Sequence, residues 1–180
     1  NEDKRLEVMS NLKDLGQGKC FSHSIAFGTL KPMISKDSNS SLDSKNIDMT
    51  LSVMGSSLVY WVQDLYKNSL LNKGSQIFSM TSAGGRKQWK SYGAVSMAKA
   101  TLESASRQLA IELAPNGIGV NAIQAGVTDT PALRKIPGNE KMVDFAIKHN
   151  PSGRLTTPDD VAEYICLLSQ ANNSWLTGNV

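Results

Sequence analysis

SYGAVSMAKATLESASRQLAIELAPNGIGVNAIQAG, residues 91–126, decides the fold, because a long helical pattern stops and a strand starts within a few residues. Between 92 and 113, Val95, Ala98, Leu102, Ala105, Leu109 and Leu113 recur at steps of three and four, which places them on one face of an α-helix. Pro115 and Gly117 end that pattern, and GIGVNAIQAG, 117–126, reads as a strand. Upstream, SQIFSMTS at 75–82 is strand-like and is broken by AGG at 83–85. Strand, long helix, strand is a βαβ unit, which requires parallel pairing with the helix laid across the sheet.

The same alternation continues outward. Leu6, Met9, Leu12 and Leu15 predict a helix over 3–15, closed by Gly16 and Gly18. KCFSHSIAF, 19–27, predicts a buried strand followed by Gly28, the Ser/Asp/Asn/Lys-rich stretch 31–47 a surface loop, and 48–68 a helix. Downstream, 128–150 mixes short helical patterns with Pro131 and Pro137, as an insertion over a site does. Thr157, Pro158, Asp159 and Asp160 form a helix start: N-cap, proline at the first helical position, and acids in the positive first turn. Leu176 to Val180 could begin a further strand.

The expected fold is therefore α/β, a doubly wound parallel sheet of Rossmann type, in one domain over 1–180. Three convincing strands fall short of the six or so such a sheet uses. No G-x-G-x-x-G precedes a helix, and Gly16 and Gly18 precede a strand. The expectation is a domain incomplete at its N-terminus and at its very C-terminus.

Composition narrows the function classes. The chain has 180 residues, 40% hydrophobic and 19% charged, with a net charge of +3, which suits a globular domain. Its basic residues are scattered among acids, giving nucleic-acid binding little support. No apolar run reaches the roughly 18 residues of a membrane span, and NEDKRLEV resembles neither a signal nor a transit peptide, so a cytoplasmic location is expected. Cys20 and Cys166, far apart and outside any C-x-x-C, read as small core residues. His23 and His149 lack ligand spacing and read as structural, with no metal site. No G-x-S-x-G elbow supports a hydrolase.

Tyr92 and Lys99 remain. Seven helical residues advance about 700°, so the two share a side, roughly 10.5 Å apart along the axis. Alone, that pair reads as an ordinary N-terminal helix residue and a solvated lysine. In context it is more specific: KCFSHSIAFG, IFSMTSAGG, Y-x6-K, NAI-x-AG, AGVTDTPAL, NPSGRLTTPDDVAEYICLL and LTG follow in that order along the whole chain. This order resembles the short-chain dehydrogenase superfamily and, through Y-x6-K, its enoyl-acyl-carrier-protein reductases.

The resemblance implies reduction of the double bond of trans-2-enoyl thioesters on acyl carrier protein during fatty acid elongation, with NADH or NADPH as cofactor. It gives Tyr92 the hydrogen bond to the thioester carbonyl and Lys99 the hydroxyls of the nicotinamide ribose. Ser24, Ile25 and Ala26 would line the riboses, and Phe27 and Gly28 the substrate entrance. Gly126, Val127, Thr128, Asp129, Thr130, Pro131 and Ala132 would face the nicotinamide and pyrophosphate, with Thr130 donating to phosphate. Ser82 stands where many members carry a second tyrosine and where the wider superfamily has a serine; it is a catalytic candidate with an open role. Ser52 lies about where ketone-reducing relatives keep an asparagine that orders a relay water. The competing readings are a ketoacyl or other carbonyl reductase of the same fold and a non-catalytic dinucleotide sensor.

Two surface expectations follow. Leu51, Leu58 and Trp61 on the 48–68 helix should be exposed, and with the 92–113 helix form a two-fold interface in a homodimer or homotetramer. Arg134, Lys135, Lys141, Lys148 and Arg154 could form a basic rim for an acidic carrier.

Overall fold

The computed structural model describes residues 2–171 and 174–180. Its centre is a parallel sheet of β1 (Gly18–His23), β2 (Leu71–Thr81) and β3 (Gly119–Gln124), side by side in chain order. Helices α1 (Glu2–Lys13), α2 (Ser44–Leu51), α3 (Ser57–Lys67), α4 (Gly93–Leu113), α5 (Asn139–His149) and α6 (Pro158–Gln170) flank it, the Rossmann-type α/β arrangement. β1 reaches β2 through α2 and α3, and β2 reaches β3 through α4, so each crossover supplies a helix to the sheet.

The α4 pattern packs as its spacing requires. Val95, Ala98, Leu102, Leu109 and Leu113 are buried and Ala105 is partly so. The last three of the buried positions join Leu58, Val62 and Leu65 of α3, Ile77 of β2, Val120 of β3 and Met9 of α1 in the main core. Burying each such aliphatic side chain stabilises the fold by about 1.5–3 kcal/mol. Gly55 lets the α4 backbone come close: a Cβ there would stand 3.1 Å from Ala98 O. At the α6 start the Thr157 side chain accepts from Asp160 N and the Asp160 carboxylate accepts from Thr157 N, a reciprocal capping box.

Several expectations are corrected. β1 ends at His23, so Ser24, Ile25 and Ala26 lie in the loop beyond it. Nor is it a buried strand: among the described residues β1 pairs with β2 alone, and Gly18, Lys19, Cys20 and Ser22 are exposed. Cys20 and Cys166 are both exposed, so neither is a core residue. β2 starts at Leu71, four residues before the apolar run, its early part disguised by Asn72, Lys73 and Gly74. The 48–68 helix begins at Ser44, where the Asp43 carboxylate accepts from Asn46 N at 2.7 Å, and is interrupted by a π-helical turn at Ser52–Ser56. Leu58 is fully buried and not part of an exposed stripe, because it shares a helix face with Met54, Val62 and Leu65, and Leu51 and Trp61 are half-buried against the core. Leu176 to Val180 is not a strand, although Gly178 N donates to Val120 O and Ala122 N donates to Asn179 O, both at 2.8 Å. Among the described residues no helix is long and apolar enough to cross a membrane.

Candidate active site

The strand register makes the site. His23 pairs with Ser79, and Thr81 with Gln124, so the three carboxyl ends lie nearly level. The loops that leave them, 24–30, 82–86 and 125–132, emerge at one edge, where parallel sheets hold their ligands. The N-terminus of α4 rises beside that edge.

Tyr92 stands at the N-cap of α4, half-buried and packed against the cluster of Met54, Val95 and Ala98. Burial raises its phenol above the usual value of 10.0, while Ser82 pulls it down. The hydroxyl therefore stays protonated near neutral pH and available as a donor. Ser82 Oγ faces Tyr92 closely enough to act on that equilibrium, yet it is buried without a hydrogen bond of ordinary geometry. Ser82 and Tyr92 thus bring two hydroxyls together at the carboxyl edge of the sheet.

Two turns on, Lys99 is 6% exposed, and its Nζ donates to Met80 O at 2.6 Å. Burial lowers its pKa from 10.5 to about 8, so the ammonium form still dominates at pH 7. His23, at the end of β1, is buried with Nε2 2.7 Å from Ser57 Oγ. Desolvation first, and the Lys99 charge second, hold its pKa below 6.5 and favour the neutral ring.

The other expected site residues are placed less uniformly. Gly28 packs tightly, since a Cβ there would lie 2.6 Å from Thr50 Cγ2 and 3.1 Å from Val95 Cγ2. Ser24, Ala26 and Phe27 are exposed and Ile25 is half-buried. Beyond β3, Thr156 N donates to Val127 O at 3.1 Å and Thr128 bridges to Thr156, while a Cβ on Gly126 would overlap the Thr156 hydroxyl. Thr130 Oγ1 accepts from Leu133 N at 3.2 Å, which leaves its own proton free to donate. Asp129, Pro131 and Ala132 are exposed, and Asp129 is engaged in two 2.8 Å bonds from Arg134. A cavity of about 290 Å³ opens beside Gly126 and Val127, walled by Ala146, Asn150 and Thr156. Trp89 Nε1 donates to Pro137 O at 3.3 Å, tying the approach to Tyr92 to the 128–150 stretch.

The family model described as Enoyl-(Acyl carrier protein) reductase matches residues 6–180. The chain belongs to this family. It is 31% identical over 160 residues to the enoyl-[acyl-carrier-protein] reductase [NADH] FabI of Buchnera aphidicola, covering 89% of the chain and 60% of that relative. It is 33% identical over 147 residues to the Uncharacterized oxidoreductase YjdA of Bacillus subtilis, covering 80% and 56%. The crystal structure of enoyl-[acyl-carrier-protein] reductase (NADH) from Aquifex aeolicus superposes with a TM-score of 0.86 at 25% identity, covering all of this chain and 69% of that one. The chain thus spans between half and two thirds of the length of these curated relatives.

Around Tyr92 and Lys99 the structure also gathers residues that sequence reasoning missed. Glu103, 4% exposed, accepts from Thr81 Oγ1 at 2.8 Å and from Arg86 Nε and Nη2 at 3.3 and 3.2 Å. The available signal was a carboxylate four residues after Lys99, within the buried face of α4. Gly84 and Ser96 touch Tyr92 or its supporting turn, and nothing in their spacing announces it.

Proposed function

We propose that this chain carries the Tyr-x6-Lys half of an enoyl-acyl-carrier-protein reductase site, which reduces trans-2-enoyl thioesters with NADH or NADPH in fatty acid elongation. The observation that carries the reading is Tyr92, a protonated phenol beside the unsatisfied Ser82 Oγ, on the same helix as a buried Lys99 whose Nζ spends one of three protons on Met80 O. Lys99 keeps donors for ribose hydroxyls, and Thr130 keeps one for a phosphate oxygen, so the residues present fit a dinucleotide. Ser24, Ile25 and Ala26 would line its riboses, with Gly126 to Ala132 against its nicotinamide and pyrophosphate. When bound, the reduced nicotinamide supplies hydride to the β-carbon of the substrate.

The chain's own part is electrostatic. As the β-carbon is reduced, negative charge builds on the thioester oxygen, and the Tyr92 O–H aimed at that oxygen strengthens as it does. In ketone reduction the attacked carbon bears the oxygen; in enoyl reduction the oxygen lies farther along the substrate. A tyrosine two turns from its lysine matches the second geometry. Ser52 is exposed at the π turn, which disfavours a relay of the ketone-reducing kind. Ser82 acts with Tyr92 as a second polar group toward the same oxygen. Phe27 and Gly28 border the acyl entrance, and 128–150 covers it as a substrate-binding insertion.

The carrier protein would dock on a thinner basic rim than charge counting suggests. Arg134 is paired with Asp129 and Arg154 with Asp160, leaving Lys135, Lys141 and Lys148 as the rim cations. Tyr60 and Tyr66, exposed on α3, support association of this helix with a second copy in a homodimer or homotetramer. A crotonyl-thioester assay with NADH and with NADPH, alongside calorimetric titration of each cofactor, tests the reading. Turnover of the enoyl and not of a 3-ketoacyl thioester is expected. The reverse preference would identify a carbonyl reductase, and binding without turnover a sensor.

A further inference from the structure

Three serine or threonine hydroxyls in the helices, two of them buried and that of Ser57 half-buried, behave alike. Thr50 donates to Asn46 O, Ser57 to Val53 O and Ser106 to Leu102 O, each bonding back to the carbonyl four residues earlier in its own helix. Ser96 has the same opportunity at Tyr92 O, which its backbone N–H occupies at 2.8 Å. Its hydroxyl instead leaves the helix and donates to Gly84 O in the turn after β2.

That turn is the surface on which Tyr92 rests. A Cβ on Gly84 would overlap Tyr92 Cε1, would come within 3.1 Å of Cδ1, and would lie 3.2 Å from Ser82 Oγ. The ring therefore lies flush on the Gly84 backbone, with Ser82 alongside. The far end of the turn is anchored separately: Arg86 N and Lys87 N donate to Ala83 O at 3.0 and 2.8 Å, and the Arg86 side chain reaches Glu103. Immediately before the tyrosine, Ser91 has φ 61°, a left-handed conformation unfavourable for serine, which turns the chain into α4.

We propose that Ser96 is a positioning residue for Tyr92: through the Gly84 carbonyl it clamps the 83–85 turn against the phenol ring and fixes where the hydroxyl points. The proposal rests on the reading of Tyr92 as the donor to the thioester oxygen. It also gives the Y-x6-K spacing a second consequence. With the lysine moved on to position 99, the residue one turn after the tyrosine is free to brace it.

The test uses Ser96→Ala, Ser96→Thr and Gly84→Ala in the full protein, read by steady-state kinetics, cofactor affinity and ultraviolet tyrosinate titration, with Tyr92→Phe identifying the Tyr92 transition. Ser96→Ala should lower kcat on a crotonyl thioester about tenfold and leave the NAD(P)H Kd within about twofold, because the misplaced hydroxyl matters mainly in the transition state. It should also shift the Tyr92 ionisation down toward ordinary tyrosine, since a loosened turn admits water. Ser96→Thr keeps the hydroxyl and should restore both properties. Gly84→Ala leaves the Ser96 hydroxyl in place and crowds the Tyr92 ring and Ser82 Oγ, so it should reproduce the Ser96→Ala pattern and decides the matter if Ser96→Ala does not fold. A Tyr92 ionisation unchanged in Ser96→Ala and Gly84→Ala overturns the proposal, as does a threonine variant no better than alanine. The titration requires no turnover, so a protein that fails to reduce enoyl thioesters at all defeats the functional reading while the clamp is still decided.

Discussion

The two halves of α4 bury their residues for different reasons. From Ala105 to Leu113 the helix contributes Leu109, Ala110 and Leu113 to the main core, and its one buried polar side chain, Ser106, is neutral and meets Ser79 Oγ at 2.8 Å. From Tyr92 to Glu103 it half-buries a phenol beside Ser82 and buries an ammonium bonded to Met80 O and a carboxylate bonded to Thr81 Oγ1. Burying polar and charged groups costs free energy unless each is matched. A helix that does so within about three turns gives up stability for geometry, and that half lies at the carboxyl edge of the sheet.

The comparison can be broken most severely from the apolar side. Leu102, fully buried where the halves meet, should lose about 2–5 kcal/mol of stability as Leu102→Ala, read by urea unfolding. A loss below about 1 kcal/mol would mean that α4 is not packed as described.

Tyr92→Phe should do the reverse: unfolding free energy nearly unchanged, turnover on an enoyl thioester down by about a hundredfold, and cofactor affinity unaffected. Equal turnover in the variant would remove Tyr92 from the chemistry.

Lys99 sharpens the contrast because its effect on folding has a defined sign. Its folded pKa of about 8 lies below the ordinary 10.5, so between those values the unfolded chain binds the extra proton. Stability is therefore depressed below pH 8 and climbs as pH rises from 8 to 10.5, by on the order of 3 kcal/mol across the window. Lys99→Met should flatten that climb and raise stability at pH 7, while weakening cofactor binding and turnover together. In the unmutated protein, cofactor affinity should fall as pH passes about 8 and the ammonium is lost. A pH-stability profile identical in the two proteins would contradict the burial of this charge.

The smallest effect belongs to an exposed pair outside both halves. Arg134 and Asp129 form a bidentate contact at 2.8 Å, but both are exposed, so Arg134→Ala should change stability by less than about 1 kcal/mol. Any larger change in thermal unfolding would point to a structural role for the 129–134 segment.

How far the sequence determined the molecule follows the same division. Periodicity is a property of the chain itself, so the α4 stripe, the strand after Gly117 and the Thr157–Asp160 helix start were all readable, as was the α/β class. Tyr92 and Lys99 were readable as a pair because their spacing is local, and the order of motifs placed them in a family. Burial across elements was not. Nothing in KCFSHS says that Cys20 and Ser22 stay exposed, and nothing in SVMGSS announces a π turn or the burial of Leu58 just after it. Ser96 and Glu103 look like ordinary helix residues until the turn after β2 is folded against them; only then does one hydroxyl meet Gly84 O and one carboxylate meet Thr81 and Arg86. Local pattern reports which side of an element is apolar, whereas the partner of a buried polar group is chosen by a segment many residues away, and only the tertiary structure brings the two together.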